Sequence, residues 1–274
     1  MTTTWEEGEQ IPPQPIGLIG LIRLLQRGLR LVLVIFTGLF VHGLLRLIER
    51  PIYGQARPWT PLIVQWVCRQ SLRILRIELR IHGRVMDEPG AVVANHGSWL
   101  DIFVLNARKR IYFVAKAEVR GWALIGWLAR ATGTVFIKRE RKEAKAQTEL
   151  FKTRLGLGHR LLFFPEGTST DGRRVLPFKP TLFAAFLSEN LADNTHIQPV
   201  SVVYHAPEGQ DPRFYGWWGD MSFGAHLLKV LAAAGSGSVD VVCHPTLRVA
   251  DKPNRKVIAA HLEEQVRAGL DQYI

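Results

Sequence analysis

The chain has 274 residues, with 35 lysines and arginines against 24 acidic residues, and a net charge of +11. This length suffices for one large hydrophobic core, or for one domain with an appendage. Hydrophobic residues make up 47% of the chain but are interspersed with glycine, proline and charge, which excludes a polytopic membrane protein. The two cysteines, Cys68 and Cys243, are too few and too far apart for a disulfide framework or a metal cluster. We expect both to be small buried hydrophobic residues.

The N-terminal part combines a polar tail with a basic, apolar segment. Residues 1–15 are acidic and rich in proline, which predicts a mobile tail, and no secretory signal peptide is expected. Residues 11–84 contain eleven arginines, no lysine and only two acids, Glu49 and Glu78. A basic and apolar segment of this kind indicates an anionic surface as its partner, and the long apolar runs favour a membrane over nucleic acid.

Residues 31–45 form an almost continuous apolar run, which is shorter than the ~20 residues of a clean membrane span. We therefore expect one helix, or two short helices hinged near Gly28, embedded in one leaflet with the arginines reaching the head groups. A single tilted span and a soluble core helix are the alternatives. The predicted division is a tail and membrane-associating segment over 1–54 and a main domain over 55–274.

Beyond a proline- and glycine-rich linker at 51–61, apolar strand patterns alternate with helical patterns. Strands are predicted at 77–81, 91–94, 111–114, 134–137, 161–164, 197–204 and 239–243. Helices are predicted at 62–72, 98–105, 118–131, 140–155, 181–191 and 256–273. This alternation predicts an α/β fold with a mostly parallel central sheet and helices on both faces.

A polar stretch, Asn95–Asp101, follows the predicted strand 91–94. A histidine at a strand's carboxyl end points into the crevice where open α/β sheets bind ligands. Asp101, five residues after His96, could hold one ring nitrogen and fix the tautomer of a general base. The alternative is structural: Ser98 and Asp101 would form a capping box at the start of a helix, and His96 would be an ordinary turn residue.

Three further blocks lie at predicted strand ends: Gly133–Arg139, Phe163–Thr168 and Ile197–Tyr204. Taken singly, each has an ordinary explanation as a basic turn, a strand-to-loop transition or a core strand. Together with Asn95–Asp101, in this order and spacing, they resemble the glycerolipid acyltransferase family typified by bacterial 1-acylglycerol-3-phosphate acyltransferases. The resemblance covers residues 75–205, and the basic apolar N-terminus is similar to the membrane attachment of that family.

The resemblance implies a general base and an orienting acid. His96 would take the proton of an acceptor hydroxyl, with Asp101 orienting the ring, and the oxygen would attack the thioester of acyl-CoA or acyl-acyl carrier protein. No cofactor and no metal are expected beyond that co-substrate. Ser98 is a conceivable nucleophile, but we expect it to be engaged at the helix start, so direct transfer without an acyl-enzyme is predicted.

The resemblance also implies roles for five other residues. Backbone N–H groups around Gly167 and Thr168 are candidates for stabilising the oxyanion. Arg139, helped by Lys138, would hold an anionic acceptor head group. Glu166 would bond acceptor hydroxyls.

The acceptor that ranks first by a narrow margin is 1-acylglycerol-3-phosphate, acylated at its sn-2 hydroxyl to phosphatidic acid for phospholipid biosynthesis. One departure from the commonest family pattern favours another acceptor. Ser169 stands where such enzymes usually carry arginine, and Asp171 would repel phosphate if it faced the pocket. An acceptor with an amine fits such a site better. This pattern resembles the lyso-ornithine lipid acyltransferase branch, so ornithine-lipid synthesis is the alternative, with both activities in one enzyme as a third.

Two other classes of function remain. A non-catalytic lipid-binding protein would not need the His96 and Asp101 pair, and a nucleic-acid binder would not need long apolar runs between its arginines.

The expected location is the cytoplasmic face of the inner membrane. The expected partners are a lyso-lipid acceptor, an acyl thioester and the membrane surface, and nucleic acid is not expected.

Overall fold

The computed structural model describes residues 5, 15–122, 125–138, 143–188 and 191–274. The helices are α1 Leu18–Tyr53, α2 Thr60–Ile74, α3 Asp101–Arg108, α4 Ile125–Thr132, α5 Ala144–Gly156, α6 Phe223–Ala232 and α7 Arg255–Tyr273. The strands are β1 Ile77–His82, β2 Gly90–Ala94, β3 Tyr112–Lys116, β4 Val135–Ile137, β5 Arg160–Phe163, β6 His196–His205, β7 Gly237–Cys243 and β8 Leu247–Arg248.

The strands form a single mixed sheet in the order β1-β7-β6-β2-β5-β3-β4, with β8 paired to β6. The run β6-β2-β5-β3-β4 is parallel throughout, whereas β7 pairs with β6 in the antiparallel sense. Strand β1 is parallel to β7. The prediction of a mostly parallel sheet in an α/β fold is therefore confirmed.

Two hydrophobic clusters cover the two faces of the sheet. In β2, Val92 and Ala94 join the cluster formed with α2, α3 and α6, whereas Ala91 and Val93 join the cluster formed with α5 and α7. Because successive strand side chains point to opposite faces, a strand buried on both faces is apolar along its whole length. The central position of β2 places the loop that follows it in the middle of the sheet edge.

Helix α1 is one continuous helix of 36 residues. Of the two expected forms it is the single helix, not the pair hinged near Gly28, and the predicted start of a linker at Pro51 is wrong. It packs closely on α2 at Gly38, where an added Cβ would lie 2.2 Å from Val67 Cγ2. In the described part of the chain it is the one helix whose length and composition suit a membrane span, with a mean hydropathy of 2.3 over 18 residues.

Two charged side chains of α1 are buried against the domain. Arg27 donates to the carbonyl oxygens of Leu231 and Ala233 at 3.1 and 2.9 Å, at the C-terminal end of α6. Glu49 accepts from Trp59 N–H at 2.6 Å and Thr60 N–H at 3.0 Å, which caps the N-terminus of α2. These bonds satisfy backbone groups that a helix end leaves without partners. They also hold α1 along the domain surface.

Other boundaries differ from the sequence expectations. The predicted helix 118–131 is a 3₁₀ helix, Ala117–Gly121, followed by α4, and the predicted helix 181–191 is a 3₁₀ segment, Pro180–Leu187. Helix α6 and strand β8 were not predicted.

Candidate active site

The site lies at the carboxyl ends of the neighbouring strands β2 and β5. The chain leaves β2 for α3 on one face of the sheet. After β5 it continues to the 3₁₀ segment, whose Phe183 and Phe186 lie in the cluster on the other face. Adjacent strands whose connections leave on opposite faces open a crevice, the usual ligand position in such sheets. Three of the four sequence blocks converge there.

His96 and Asp101 form the pair that their spacing predicts. His96 Nδ1 lies 2.7 Å from Asp101 Oδ2, and the imidazole is stacked on the Phe164 ring with centroids 4.0 Å apart. A carboxylate only accepts, so Nδ1 carries the hydrogen of a neutral ring and Nε2 has the free lone pair. The side chain of His96 is 21% exposed and that of Asp101 is fully buried, so the ring is fixed but accessible.

The Asp101 carboxylate is held from several sides. Tyr204 donates its hydroxyl to Oδ1 at 2.7 Å, and the N–H groups of Gly97 and Ser98 lie 3.1 and 3.2 Å from Oδ2. Asp101 therefore performs both functions that the sequence left as alternatives, because the same carboxylate orients His96 and ties down the turn before α3. These contacts fix the orientation of the ring.

Ser98 does not cap α3, so that prediction is wrong. The helix begins at Asp101, three residues later, with no side-chain cap. The Ser98 hydroxyl is fully buried and accepts from Leu100 N–H at 3.3 Å. A buried hydroxyl engaged in the turn is poorly placed to be a nucleophile.

Glu166 is buried rather than turned toward a ligand. Its Oε1 accepts from His96 N–H at 2.8 Å and its Oε2 from Leu176 N–H at 2.9 Å, and the residue is 1% exposed. Burial raises the pKa of this carboxyl to about 8, although the two backbone bonds act in the opposite direction. The expectation that Glu166 bonds acceptor hydroxyls is not supported by this geometry, since both oxygens hold the loop that carries His96.

The block that contains Gly167 and Thr168 is partly engaged within the protein. Gly167 N–H donates to Phe164 O at 3.1 Å, which removes it as an oxyanion donor in this conformation. The Thr168 hydroxyl accepts from Trp5 N–H at 3.3 Å. Trp5 is 8% exposed and packs against Trp218, so the prediction of a mobile tail is wrong at this residue.

The predicted head-group cations lie farther away. Lys138 follows β4, which is separated from β2 by β5 and β3, or about 14 Å at ~4.8 Å per strand. It is exposed at the far end of the same sheet edge. Arg139 lies outside the described residues. The head-group role of both stays a prediction.

Comparisons with known proteins bear on the chemistry of this site. A family model described as Acyltransferase matches residues 76–203. Over 98% of its length the chain is 56% identical to the lyso-ornithine lipid O-acyltransferase of Rhodobacter capsulatus, 97% of which is covered. The chain belongs to the acyltransferase family. Within that family it is similar to the lyso-ornithine lipid branch.

Two further matches are to 1-acyl-sn-glycerol-3-phosphate acyltransferases. The 1-acyl-sn-glycerol-3-phosphate acyltransferase of Neisseria gonorrhoeae is 28% identical over 72% of this chain and 76% of its own length. The crystal structure of the 1-acyl-sn-glycerophosphate acyltransferase PlsC from Thermotoga maritima superimposes with a TM-score of 0.66 at 20% identity, covering 93% of this chain and 97% of that one. The latter match confirms the fold.

Asp171, the acid that was expected to repel a phosphate if it faced the pocket, is paired within the protein. Asp171 is 3% exposed, and its carboxylate accepts from Arg174 Nη2 at 3.0 Å and from Arg173 N–H at 3.0 Å. Arg174 also lies over the Trp5 ring at 4.9 Å. Asp171 therefore does not face the crevice as a free negative charge, and the expected repulsion of phosphate has no support.

Three residues that shape the site of the acyltransferase were given no role by the sequence. Tyr204 reaches Asp101 across 103 positions, and Asn95 extends the β2–β6 ladder by exchanging two hydrogen bonds with the Val202 backbone at 2.9 and 2.8 Å. Thr170 N–H donates to His96 O at 2.8 Å. Tyr204 and Asn95 lie inside sequence blocks that resemble the family. Their position in those blocks was the sequence signal that could have pointed to a role in the site.

Proposed function

We propose that this acyltransferase is a lyso-ornithine lipid O-acyltransferase that moves an acyl chain from a thioester to the hydroxyl of the lyso-lipid. The observation that carries this proposal is the 56% identity to a lyso-ornithine lipid O-acyltransferase over nearly the whole of both chains, against 28% for the lysophosphatidate enzyme. The proposal places lyso-ornithine lipid ahead of lysophosphatidate as the acceptor, which reverses the order that the sequence blocks favoured by a narrow margin. Ser169, in place of the usual arginine, is consistent with it because this position offers no cation to a phosphate monoester.

The geometry supports direct transfer with His96 as the base. Nε2 accepts the proton of the acceptor hydroxyl, and the oxygen attacks the thioester carbonyl carbon to give a tetrahedral oxyanion. As the C–S bond breaks, the imidazolium returns its proton to the leaving thiolate. Asp101 stabilises the transient positive charge on the ring through the 2.7 Å bond to Nδ1. The donor, acyl-CoA or acyl carrier protein, supplies the acyl group as a co-substrate.

We further infer that α1 lies in the plane of the membrane, on the cytoplasmic face of the inner membrane. About 33 Å of helix separates the two anchors Arg27 and Glu49, which matches the ~30 Å thickness of the hydrocarbon core. If α1 crossed the bilayer, the domain bonded to both anchors would have to enter the hydrocarbon. Exposed apolar side chains cover the rest of the helix, among them Leu18, Leu25, Leu29, Leu33, Phe36, Phe40 and Leu47.

The topology is tested with a protease site placed before α1 in spheroplasts. Protection from external protease, with cleavage after the membrane is opened, is the expected result. Cleavage in intact spheroplasts would contradict the in-plane arrangement and support a span.

The acceptor is tested by paired specificity constants for lyso-ornithine lipid and lysophosphatidate with one acyl donor. We expect at least a tenfold preference for lyso-ornithine lipid, which is about 1.4 kcal/mol of differential transition-state binding. Ser169→Arg should shift the ratio toward lysophosphatidate, and Ser169→Gln is the uncharged control. A tenfold preference of the native enzyme for lysophosphatidate would contradict the proposal.

A further inference from the structure

A basic cleft lies between α1, α4 and α5, with a volume of about 780 Å³. Its walls carry five arginines and one histidine: Arg46, Arg50, Arg57, Arg130, Arg154 and His42. Gly133, which accepts from the cleft residue Arg154, precedes β4. His159 precedes β5 and bonds to Ala56 O, between the cleft residues Gln55 and Arg57. The cleft therefore lies at the amino ends of the parallel strands. His96 lies at their carboxyl ends, about 15 Å away at ~3.3 Å per strand residue, so the two places are separate.

Neutral groups hold three of these arginines in position. Arg57 donates to Ala131 O at 2.7 Å, Arg154 donates to Gly133 O at 2.8 Å, and Arg130 donates to Arg120 O at 2.5 Å. Carbonyl oxygens orient a guanidinium but do not neutralise its charge. These contacts set the arginines in place without neutralising their positive charge.

The carboxylate found next to the cleft is already in use. Glu49 pairs with Arg46 at 3.1 Å, and the same carboxylate accepts the Thr60 hydroxyl at 2.6 Å and caps α2. Burial, and then repulsion by Arg46, lowers the pKa of Arg57. Burial, with repulsion by Arg57, also lowers the pKa of Arg154. Repulsion between neighbouring arginines thus adds to burial in making these charges costly to hold, and an anion in the cleft would lower that cost.

His42 gives a second, independent indication of a ligand. It lines the cleft from α1 and is 5% exposed, and within the described part of the chain its Nε2 has no hydrogen-bond partner. A buried ring nitrogen without a partner costs free energy unless something occupies the space before it.

We propose that the basic cleft binds the phosphate group of an anionic phospholipid of the membrane, at a site distinct from that of the acyl acceptor. Arginine forks suit phosphate oxygens. Helix α1, which supplies Arg46 and Arg50 to the cleft, exposes Leu47, Ile48 and Ile52 beside them. A phospholipid uses both features, since its phosphate enters the cleft and its acyl chains lie along the apolar side chains. A soluble phosphate ester would use the arginines alone.

The test is calorimetric titration of the full chain in mild detergent. The ligand is a short-chain phosphatidylglycerol, and phosphatidylcholine of the same chain length is the neutral lipid. Glycerophosphoglycerol and inorganic phosphate are titrated as soluble phosphate compounds for comparison. The variant is Arg50→Gln with Arg130→Gln, two exposed positions, and the matched control is Arg23→Gln with Arg30→Gln, which removes the same charge elsewhere on α1. The measured quantity is the dissociation constant of each ligand. The result therefore does not depend on which lyso-lipid the enzyme acylates.

We expect the cleft variant to bind phosphatidylglycerol at least tenfold more weakly, with the control pair within threefold of the native protein and phosphatidylcholine bound weakly by all. Equal weakening by the two pairs would overturn the proposal, because general surface charge would then explain the binding. Binding of inorganic phosphate as tight as that of phosphatidylglycerol, lost in the cleft variant, would overturn the lipid as occupant and assign the cleft to a soluble phosphate.

Discussion

Glu166→Gln isolates the effect of burying a carboxyl group beneath the His96 loop. Both oxygens accept backbone N–H groups, and burial raises the pKa to about 8 from the ordinary 4.5. Above pH 4.5 the folded protein therefore keeps a proton that the unfolded chain releases. The contribution of this neutral carboxyl to stability is complete below pH 4.5 and is lost as the pH rises to about 8.

The size of this pH effect follows from the interval between the ordinary pKa of 4.5 and the raised pKa of about 8. The slope is about 1.4 kcal/mol for each pH unit, or about 5 kcal/mol over the whole range. Glutamine has the same shape and does not titrate, but its amide NH₂ opposes one of the two N–H donors, at a pH-independent cost of about 1–3 kcal/mol. We expect the free energy of unfolding of the native protein, minus that of Glu166→Gln, to be positive at pH 5 and to fall steadily toward pH 8.

The assay is urea unfolding in mild detergent at pH 5, 6, 7 and 8 for both proteins. Glu263→Gln is the matched control, because Glu263 also accepts a backbone N–H, from Phe178 at 2.8 Å, and its side chain is 23% exposed. A difference between native protein and Glu166→Gln that changes by less than about 1 kcal/mol across this range would refute the raised pKa.

Two further predictions concern the neighbours of His96 and Asp101. Tyr204→Phe removes the 2.7 Å bond to Asp101 Oδ1, so we expect it to cost about 1.5–3 kcal/mol of stability and to lower kcat with little change in KM. Urea unfolding and steady-state kinetics check this, and unchanged stability together with unchanged kcat would contradict it. Ser98→Ala should keep kcat within about tenfold, since loss of general-base or nucleophilic chemistry costs ~10²–10⁴-fold or more. A larger loss in the same assay would indicate an acyl-serine intermediate.

Much of the fold could be predicted because its signals are local. Apolar strands such as β2 are buried on both faces, and the pairing of His96 with Asp101 lies within five residues of sequence. The carboxyl ends of parallel strands meet at one edge, which is why three blocks far apart in the chain converge near His96.

The remaining features depend on partners distant in sequence. From the sequence alone, Glu166 would be expected to be an exposed acid in a loop. Its burial depends on His96 N–H, which lies 70 positions away in the chain and donates to it. The continuity of α1 through Gly28 and Pro51 follows from its docking through Arg27 and Glu49 to helix ends elsewhere in the chain. Local propensity allowed a break at Gly28 and predicted one at Pro51, and tertiary contacts decide against both.

The most direct test of the central claim is the rate of acyl transfer from a thioester to lyso-ornithine lipid by purified His96→Ala, with Asp101→Asn beside it. If His96 is the base and Asp101 its orienting partner, kcat should fall by ~10²–10⁴-fold in His96→Ala, and strongly in Asp101→Asn. Vesicle binding and the native fold should be retained in His96→Ala, although losing the bond to the buried Asp101 should lower its free energy of unfolding, as in Tyr204→Phe. Near-native turnover by folded His96→Ala would contradict the account.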